Sequence, residues 1–298
     1  MRKLSDVLKQ EYGQKIYKLT LSSGCTCPNR DGTAGFGGCA FCSEGGSGEF
    51  ASAGTDIEEQ IREAKARIRN KTDAEKFIAY FQSFTNTYGD IAYLSELYEN
   101  VIRRDDIVIL SIATRPDCLG PAVMRMLRRL NAIKPVWVEL GLQTMHDETA
   151  ARMGRGYPTC VFEEAVRNLK EAGITVITHV IFGLPGESKE DMLRTIEYLS
   201  RLDPGTDGIK IQMLNILKGT RLGRAYEEEP FPLLTLNEYA ALVAQSIRML
   251  PEEMVIHRMT GDGPRKLLIA PLWSLDKKRV LNTINRRIKY NQMQRSRE

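Results

Sequence analysis

The sequence predicts an α/β fold, an open partial TIM barrel of the (β/α)6 type followed by a C-terminal α+β extension. Short segments rich in β-branched residues alternate with helical segments, which is typical of βαβ units with a parallel sheet. Six such units are fewer than the eight that close a barrel. The chain has 298 residues, of which 42% are hydrophobic, and this is enough apolar material for a sizeable core.

The first unit begins with residues 16–21 (IYKLTL), which alternate as a strand does and lead into a glycine-rich loop over residues 22–53. A helix is predicted over residues 56–69. The later strands are predicted at 76–81, 106–112, 135–142, 174–182 and 208–214, and the helices between them at 91–103, 119–131, 146–153, 160–172 and 188–202. Because the C-terminal ends of parallel barrel strands meet at one face, each loop there can carry function.

The remainder of the chain predicts an extension rather than another barrel unit. Residues 226–232 (YEEEPFP) combine an acidic run with two prolines and are predicted to be a connector. A helix near 235–250, a short strand near 254–258 and a basic helix near 276–292 are predicted after it. We therefore divide the chain into a barrel, residues 1–222, and an extension, residues 223–298, which is too small for an ordinary domain and packs on the barrel or covers its mouth.

Charge and hydropathy restrict the partners. The net charge of +4 is mild, but residues 277–297 carry eight basic and no acidic side chains. This predicts either a phosphate-binding surface or a solvated helix end. The longest uncharged apolar stretch, residues 173–186, ends in Gly-Leu-Pro-Gly and is too short to span a bilayer, and the charged N-terminus has no secretory signal. We expect a cytoplasmic enzyme without a membrane partner.

Six cysteines are present, and Cys25, Cys27, Cys39 and Cys42 fall within 18 residues after the first strand. Because cytosolic proteins keep thiols reduced, this cluster predicts a metal site rather than disulfides. Zinc is one possible occupant, although only Cys39 and Cys42 have the usual knuckle spacing. A closed four-cysteine iron–sulfur cluster is a second. The third is a [4Fe–4S] cluster held by three cysteines, with one iron left open.

The third arrangement has a chemical purpose. An iron without a protein thiolate can be chelated by the amino and carboxylate groups of S-adenosylmethionine (SAM), and an electron from the cluster then releases a 5′-deoxyadenosyl radical. The protein has to place that radical beside a substrate C–H bond and exclude water. Glycines at positions 32, 35, 37 and 38 allow the loop to wrap closely around a cluster.

The motifs Cys27-Pro-Asn-Arg-Asp-Gly-Thr and Gly38-Cys-Ala-Phe-Cys42 resemble the radical SAM superfamily, and more narrowly its YhcC/YtqA-type group, which is related to the catalytic subunit of Elongator. The spacing Cys27-x11-Cys39-x2-Cys42 departs from the superfamily's commonest Cys-x3-Cys-x2-Cys. It is similar to the Elongator-like branch, in which the first ligand also precedes a proline. The resemblance therefore implies Cys27, Cys39 and Cys42 as ligands of a [4Fe–4S] cluster, with SAM as the cofactor, and it favours Cys27 over Cys25.

The resemblance also implies contacts with SAM from the strand ends, at Gln82, Ser83, Thr85, Thr114, Gln143, Arg155 and His179. Within this set Gln143 would meet the ribose, and Arg155 would pair with the carboxylate because its planar fork matches that group. Arg155 could instead pair with Asp147 or Glu148 at the surface, and His179 could be a satisfied core histidine. Lys210 and Gln212 are predicted to point into the barrel, where a lysine is costly unless it meets an anion. Together with Arg115, they are candidate substrate contacts.

The leading hypothesis for function is a radical SAM enzyme that modifies the 5-substituent of a wobble uridine in tRNA, with an electron donor of the flavodoxin or ferredoxin type. The Elongator-like resemblance and the basic residues of segment 277–297, which would contact phosphates, support it. One alternative keeps the radical chemistry but gives it a small-molecule or protein substrate. The other is a zinc-stabilised RNA-binding module without catalysis.

Overall fold

The computed structural model describes residues 1–46 and 56–295. The last part of the predicted glycine-rich loop with the four cysteines, residues 47–53, lies outside the described residues. The strands are β1 (Arg2–Lys3), β2 (Tyr17–Leu21), β3 (Phe77–Phe81), β4 (Ile107–Thr114), β5 (Val136–Gln143), β6 (Thr175–Phe182), β7 (Gly208–Met213), β8 (Ile216–Leu217), β9 (Val255–Arg258) and β10 (Leu268–Ala270). The helices are α1 (Leu4–Tyr12), α2 (Ile57–Ile68), α3 (Ile91–Ile102), α4 (Pro121–Asn131), α5 (Asp147–Arg152), α6 (Thr159–Glu171), α7 (Lys189–Arg201), α8 (Arg221–Glu228), α9 (Leu236–Met249) and α10 (Lys277–Arg295).

The described strands build one curled eight-stranded sheet in the order β1-β9-β7-β6-β5-β4-β3-β2 and a separate antiparallel pair, β8 with β10. Every pairing within the large sheet is parallel. The predicted partial barrel is therefore confirmed, with the six predicted strands as β2 to β7, each within two residues of its predicted bounds. Their C-terminal ends meet at one face, as in other parallel barrels.

Local sequence explains the regular elements. All five side chains of β3 are buried, as expected for a strand covered on both faces. The carboxylate of Asp90 accepts a hydrogen bond from the backbone N–H of Tyr93 and so caps α3. Ser188 and Asp191 form a capping box at the start of α7. Each such cap stabilises its helix by about 1 kcal/mol.

The extension is joined to the barrel through the sheet and the core. Strand β9 pairs with β7, and β1, which the sequence did not predict, pairs with β9 at the sheet edge. Helix α9 contributes Tyr239 and Val243 to the main core, and α10 contributes Val280 and Ile284. Full burial of a side chain of this size contributes about 1.5–3 kcal/mol, so these contacts hold the extension on the barrel. The division after residue 222 remains a prediction.

Three other elements differ from expectation. The charged N-terminus forms α1, which buries Leu8. The predicted connector at residues 226–232 begins inside α8, so the first part of its acidic run is helical. Strands β8 and β10 were too short to show a period in sequence. No helix among the described residues is long and apolar enough to cross a membrane.

Candidate cofactor and metal site

The cysteine loop follows β2 and is anchored by backbone hydrogen bonds. The N–H of Ala40 donates to the carbonyl of Met153 at 2.8 Å, and the carbonyl of Ala40 accepts from the N–H of Leu222, also at 2.8 Å. The N–H of Cys42 donates to the carbonyl of Cys39 at 2.9 Å, which forms a tight turn between these two cysteines. The loop is therefore held between the end of α5 and the start of α8, at the C-terminal face of the barrel.

The clustered thiols lie in different surroundings. The pKa of Cys39 is raised to about 11, mainly by burial and with smaller contributions from charge on Cys42 and Cys27. Cys25 instead packs against the main core beside Leu94, and burial raises the pKa of this thiol as well. Cys27, Cys39 and Cys42 stay the predicted cluster ligands.

The side chain of Asn29 connects the loop to the barrel. Its Nδ2 lies 2.7 Å from the carbonyl oxygen of Gly154, 3.1 Å from that of Arg155 and 3.5 Å from the Sγ of Cys39. Asn29 is only 3% exposed, so the donor is held in a fixed position behind the sulfur. An N–H that points at a ligating sulfur stabilises negative charge there.

A cavity of about 320 Å³ opens at the C-terminal ends of the strands, beside the cysteine loop. Phe41 and Ser43 of the loop line one side. Among the residues predicted to contact cofactor or substrate, the cavity is lined by Gln82, Gln143, His179 and Gln212. Arg258 and Asp262 of the extension form an ion pair on the opposite wall. The extension therefore forms part of the wall of this cavity, which we call the chamber.

Gln143 has the backbone strain expected of a functional residue. Its φ of 60° places a non-glycine side chain in the left-handed region, at an irregularity in the pairing of β5 with β6. The Oε1 atom of Gln143 is buried without a hydrogen-bond partner, as are the Oγ of Ser43 and the Oδ1 of Asn215, which also line the cavity. Buried acceptors without partners are costly, so these three atoms fit a bound ligand that supplies donors.

A buried ionic cluster that the sequence analysis did not identify lies at the base of the chamber. The carboxylate of Glu139, on β5, accepts hydrogen bonds from Lys18 Nζ at 2.8 Å, Ser111 Oγ at 2.9 Å and His179 Nε2 at 2.7 Å, and it forms an ion pair with Lys210. Burial alone would raise the pKa of Glu139, but Lys18 and Lys210 hold it well below its usual range. Glu139 is therefore ionised and fully paired.

The cluster accounts for two predicted residues. Burial and the nearby Lys210 charge lower the pKa of His179 to about 4, so this imidazole is neutral and its Nε2–H donates to Glu139. Lys210 reaches Glu139 and the hydroxyl of Tyr80 and is absent from the described cavity lining. Glu139 is therefore an anion that meets the buried Lys210, and the candidate substrate contact at Lys210 stays a prediction.

The two predicted arginines both pack on the Tyr157 ring, with the Cζ atom of each guanidinium 4.9 Å from the ring centroid. A guanidinium has five N–H donors, and those of Arg155 meet the carbonyls of Leu142, Thr144 and Tyr157 and the side chains of Asp147 and Thr159. In this arrangement no donor remains for a cofactor carboxylate. Arg115 forms a bidentate pair with Asp117 and donates to the carbonyl of Arg155 at 3.0 Å.

The three predicted hydroxyl contacts are also buried outside the described cavity lining. Thr114 Oγ1 lies 2.5 Å from Thr87 Oγ1, and the backbone N–H of Thr85 donates to the carbonyl of Thr26. Ser83 is 5% exposed. These residues hold the strand-end loops in place, in the arrangement that the structure describes.

Comparison with known proteins identifies the family. The chain belongs to the radical SAM superfamily, whose sequence profile matches residues 24–199, and a Radical SAM C-terminal domain profile matches residues 206–290. The chain is 44% identical to YtqA of Bacillus subtilis over 282 residues, covering 94% of this chain and 87% of YtqA. It is 38% identical to YhcC of Escherichia coli K12 over 267 residues, covering 89% of this chain and 85% of YhcC.

More distant similarities connect the chain to Elongator-type proteins. The archaeal Elp3 of Methanocaldococcus infernus has the same fold, with a TM-score of 0.65 and 18% identity over 85% of this chain and 58% of that one. The tRNA uridine(34) acetyltransferase of Methanocaldococcus jannaschii is 26% identical over 163 residues, which are 54% of this chain and 30% of that protein. The resemblance to the Elongator-related group is therefore confirmed, and membership of this enzyme superfamily replaces the zinc-module alternative.

The loop fits the superfamily's cofactors, a [4Fe–4S] cluster and SAM. Within residues 1–46 and 56–295, no group of three His, Cys, Asp or Glu side chains converges on a single-ion position. A [4Fe–4S] cluster spreads its thiolates over separate irons and therefore needs wider spacing. Cys27, Cys39 and Cys42 would hold it, and the unpartnered acceptor of Gln143 faces the space beside it.

Proposed function

We propose that this chain is a radical SAM enzyme that modifies the 5-substituent of a wobble uridine in tRNA. The observation that carries the proposal is the similarity of this chain to a tRNA uridine(34) acetyltransferase, over 163 residues or 54% of its length. The chamber is lined by amide side chains of Gln82, Gln143, Gln212 and Asn215. Amides donate and accept hydrogen bonds, as the edge of a uracil base requires.

The residues have distinct roles in this proposal. Cys27, Cys39 and Cys42 hold the cluster, and SAM binds beside them against Gln82, Gln143 and His179. A cluster of this kind supplies the electron that cleaves SAM reductively to a 5′-deoxyadenosyl radical. The Glu139 carboxylate keeps His179 in the Nε2–H form, so its Nδ1 is an acceptor. Gln212 and Asn215, at the end of β7 and beyond it, contact the substrate.

The extension would provide affinity for the RNA backbone. Helix α10 buries Val280, Ile284 and Ile288 against its neighbours and leaves its basic side chains exposed. The exposed set with described side chains is Lys277, Lys278, Arg279, Arg286, Arg287 and Lys289. Phosphate contacts from such a surface are independent of sequence and weaken with salt. A low-potential electron donor of the flavodoxin or ferredoxin type and a cytoplasmic location complete the proposal.

The first test is genetic. The gene is deleted in its host, and tRNA nucleosides are profiled by mass spectrometry, with plasmid copies of wild type, Cys39→Ala and Cys25→Ala for complementation. We expect a changed wobble-uridine profile that wild type and Cys25→Ala restore and Cys39→Ala does not. A profile that deletion leaves unchanged contradicts the tRNA substrate.

The second test is biochemical. Anaerobically reconstituted protein should hold about four irons per chain and form 5′-deoxyadenosine from SAM with dithionite. Cys39→Ala and Cys42→Ala should lose both properties, whereas Cys25→Ala should keep them, because Cys25 packs on the core beside Leu94. Cleavage of SAM without retention of the protein on tRNA would favour a small-molecule or protein substrate.

A further inference from the structure

Residues 41–44 of the cysteine loop separate the chamber from a second recess on the outside of the molecule. We call this the outer recess, and Arg30, Phe36, Arg221 and Arg224 help to line it. Phe41 and Ser43 line the chamber, whereas Cys42 and Glu44 line the outer recess. Alternate residues of this short segment therefore face opposite sides. A predicted cluster ligand thus borders a surface that is separate from the space for SAM and substrate.

The outer recess is basic. Its charged lining in the described chain consists of Arg30, Arg221 and Arg224, against the single carboxylate of Glu44. Arg221 and Arg224 are exposed, and their guanidinium groups donate to the backbone carbonyls of Arg152 at 3.4 Å and Gly219 at 3.0 Å, respectively. Neither forms an ion pair with a carboxylate of the described residues.

The position of these arginines is unfavourable for the helix that carries them. Both lie at the N-terminal end of α8, a helix whose first turn has no acidic residue. The positive end of the helix dipole repels cations there, typically by 0.3–1 kcal/mol each. Two arginines at this position are therefore not explained by the stability of α8, whereas a site for an anionic partner explains them.

An aromatic side chain projects from the same recess. Phe36 is 83% exposed, more than any other large hydrophobic side chain among the described residues. It is held by a short antiparallel bridge between Asp31 and Phe36, and its ring lies so close to Gly32 that a Cβ there would be 2.7 Å away. An exposed aromatic ring in a recess that arginines also line is typical of a protein interface anchor.

We propose that this recess, formed by Arg30, Phe36, Arg221 and Arg224, is the docking surface for an acidic one-electron carrier protein that reduces the cluster. The inference rests on the proposed function, because it requires a cluster held by Cys42. One electron leaves the carrier, which is oxidised by one equivalent, and enters the cluster, which is reduced by one; no bond or proton is exchanged. Complementary charge would steer the encounter and align the two centres.

RNA is the other polyanion that a basic recess can bind, but the geometry favours the carrier. A nucleobase that reacts has to enter the chamber, on the Phe41 and Ser43 side of residues 41–44. An electron carrier has only to approach the cluster, and the Cys42 side allows this while SAM and substrate fill the chamber. The carrier and the substrate can then be bound at the same time.

The test compares two reductants on reconstituted holoenzyme without tRNA. Formation of 5′-deoxyadenosine is measured with flavodoxin, kept reduced by its NADPH-dependent reductase, and separately with dithionite, which needs no docking site. For Arg221→Glu/Arg224→Glu we expect kcat/KM for flavodoxin to fall by about 10-fold or more at low salt, with the dithionite rate unchanged. Wild type should lose flavodoxin-driven activity as salt rises, and Phe36→Ser should also weaken it.

The matched control is Arg125→Glu/Arg128→Glu on α4, where two exposed arginines have the same spacing and the change in net charge is equal. It should behave as wild type. An unchanged flavodoxin rate in Arg221→Glu/Arg224→Glu overturns the proposal, and so does an equal loss with both reductants, which would place these arginines in SAM cleavage itself. A loss of tRNA retention with normal flavodoxin turnover would identify an RNA surface and overturn it as well. Wild type that forms no product with dithionite contradicts the proposed function itself.

Discussion

Replacement of Glu139 by Gln tests whether the chamber depends on one buried charge. The carboxylate is the shared acceptor for Lys18, Lys210 and His179. Gln keeps the size of the side chain but removes the negative charge, and it leaves Lys210, whose side chain is 5% exposed, without a counter-charge. Removal of one member of a buried pair costs about 3–5 kcal/mol. For a chain of this size that lowers the midpoint of thermal unfolding by on the order of 5–10 °C.

The assay is thermal unfolding followed by circular dichroism, with Lys210→Met as the matched second change. Lys210→Met alone leaves Glu139 paired with Lys18, so we expect a smaller loss than for Glu139→Gln. The double variant Glu139→Gln/Lys210→Met should recover part of the stability, because it removes the unpaired ammonium. A Glu139→Gln midpoint within 1 °C of wild type, or a double variant less stable than both single variants, would refute the argument.

The pH dependence of the same difference has a defined sign. The pKa of Glu139 is lowered in the folded protein, so its contribution to stability is complete above the unfolded-state value of about 4.3. This contribution is lost only as the pH falls through the lowered folded-state pKa. The part of the difference in unfolding midpoint between wild type and Glu139→Gln that comes from the Glu139 charge should therefore be present above about pH 5 and shrink in stronger acid.

Three further predictions concern the loop and the chamber. Asn29→Asp removes the donor 3.5 Å from Cys39 Sγ and adds negative charge, so the reduction potential of the cluster should become more negative in an EPR-monitored titration. The pKa of His179 is lowered to about 4, so unfolding takes up a proton between about pH 6.5 and 4, and the free energy of unfolding should fall as the pH is lowered through this range. Urea unfolding at about pH 7 and pH 5 should show a smaller fall in His179→Gln than in wild type. Gln143→Gly keeps the left-handed backbone at φ 60° but removes the amide, so the KM for SAM should rise by about 2- to 10-fold without loss of stability; an unchanged KM would exclude a contact from this side chain.

The barrel was predictable from sequence because each strand carries its own local signal. Apolar runs such as residues 107–112 and 175–182 are short, β-branched and bounded by turn residues, and their burial in the sheet follows from that composition. The cysteine trio had a different origin, since motif resemblance favoured Cys27 over Cys25. This ligand set stays a prediction, and the structure places Cys25 against the core.

The Glu139 cluster shows what local patterns omit. Lys18 and Glu139 are 121 residues apart in sequence, and Glu139 and Lys210 are 71 apart. Their meeting depends on strand order and register, such as the pairing of His179 with Lys210 in adjacent strands. A signal was present nevertheless, because β2, β5 and β7 each contain one charged residue within an apolar strand. Inward-facing single charges on separate barrel strands are best treated together, since each requires a counter-charge from another.

The expected contact of Arg155 with the SAM carboxylate stays a prediction, and in the present arrangement its donors meet protein groups. A planar donor fork is as well suited to carbonyls as to a carboxylate, and the turn after β5 supplies enough acceptors to occupy all five donors. The chamber instead offers polar oxygens without a hydrogen-bond partner, on Ser43, Gln143 and Asn215. Asn215 lies against Gly261 and Gly263 of the extension, where added Cβ atoms would approach it to 2.9 Å and 3.3 Å. The polar groups of the chamber thus come from the cysteine loop, the barrel strands and the extension together.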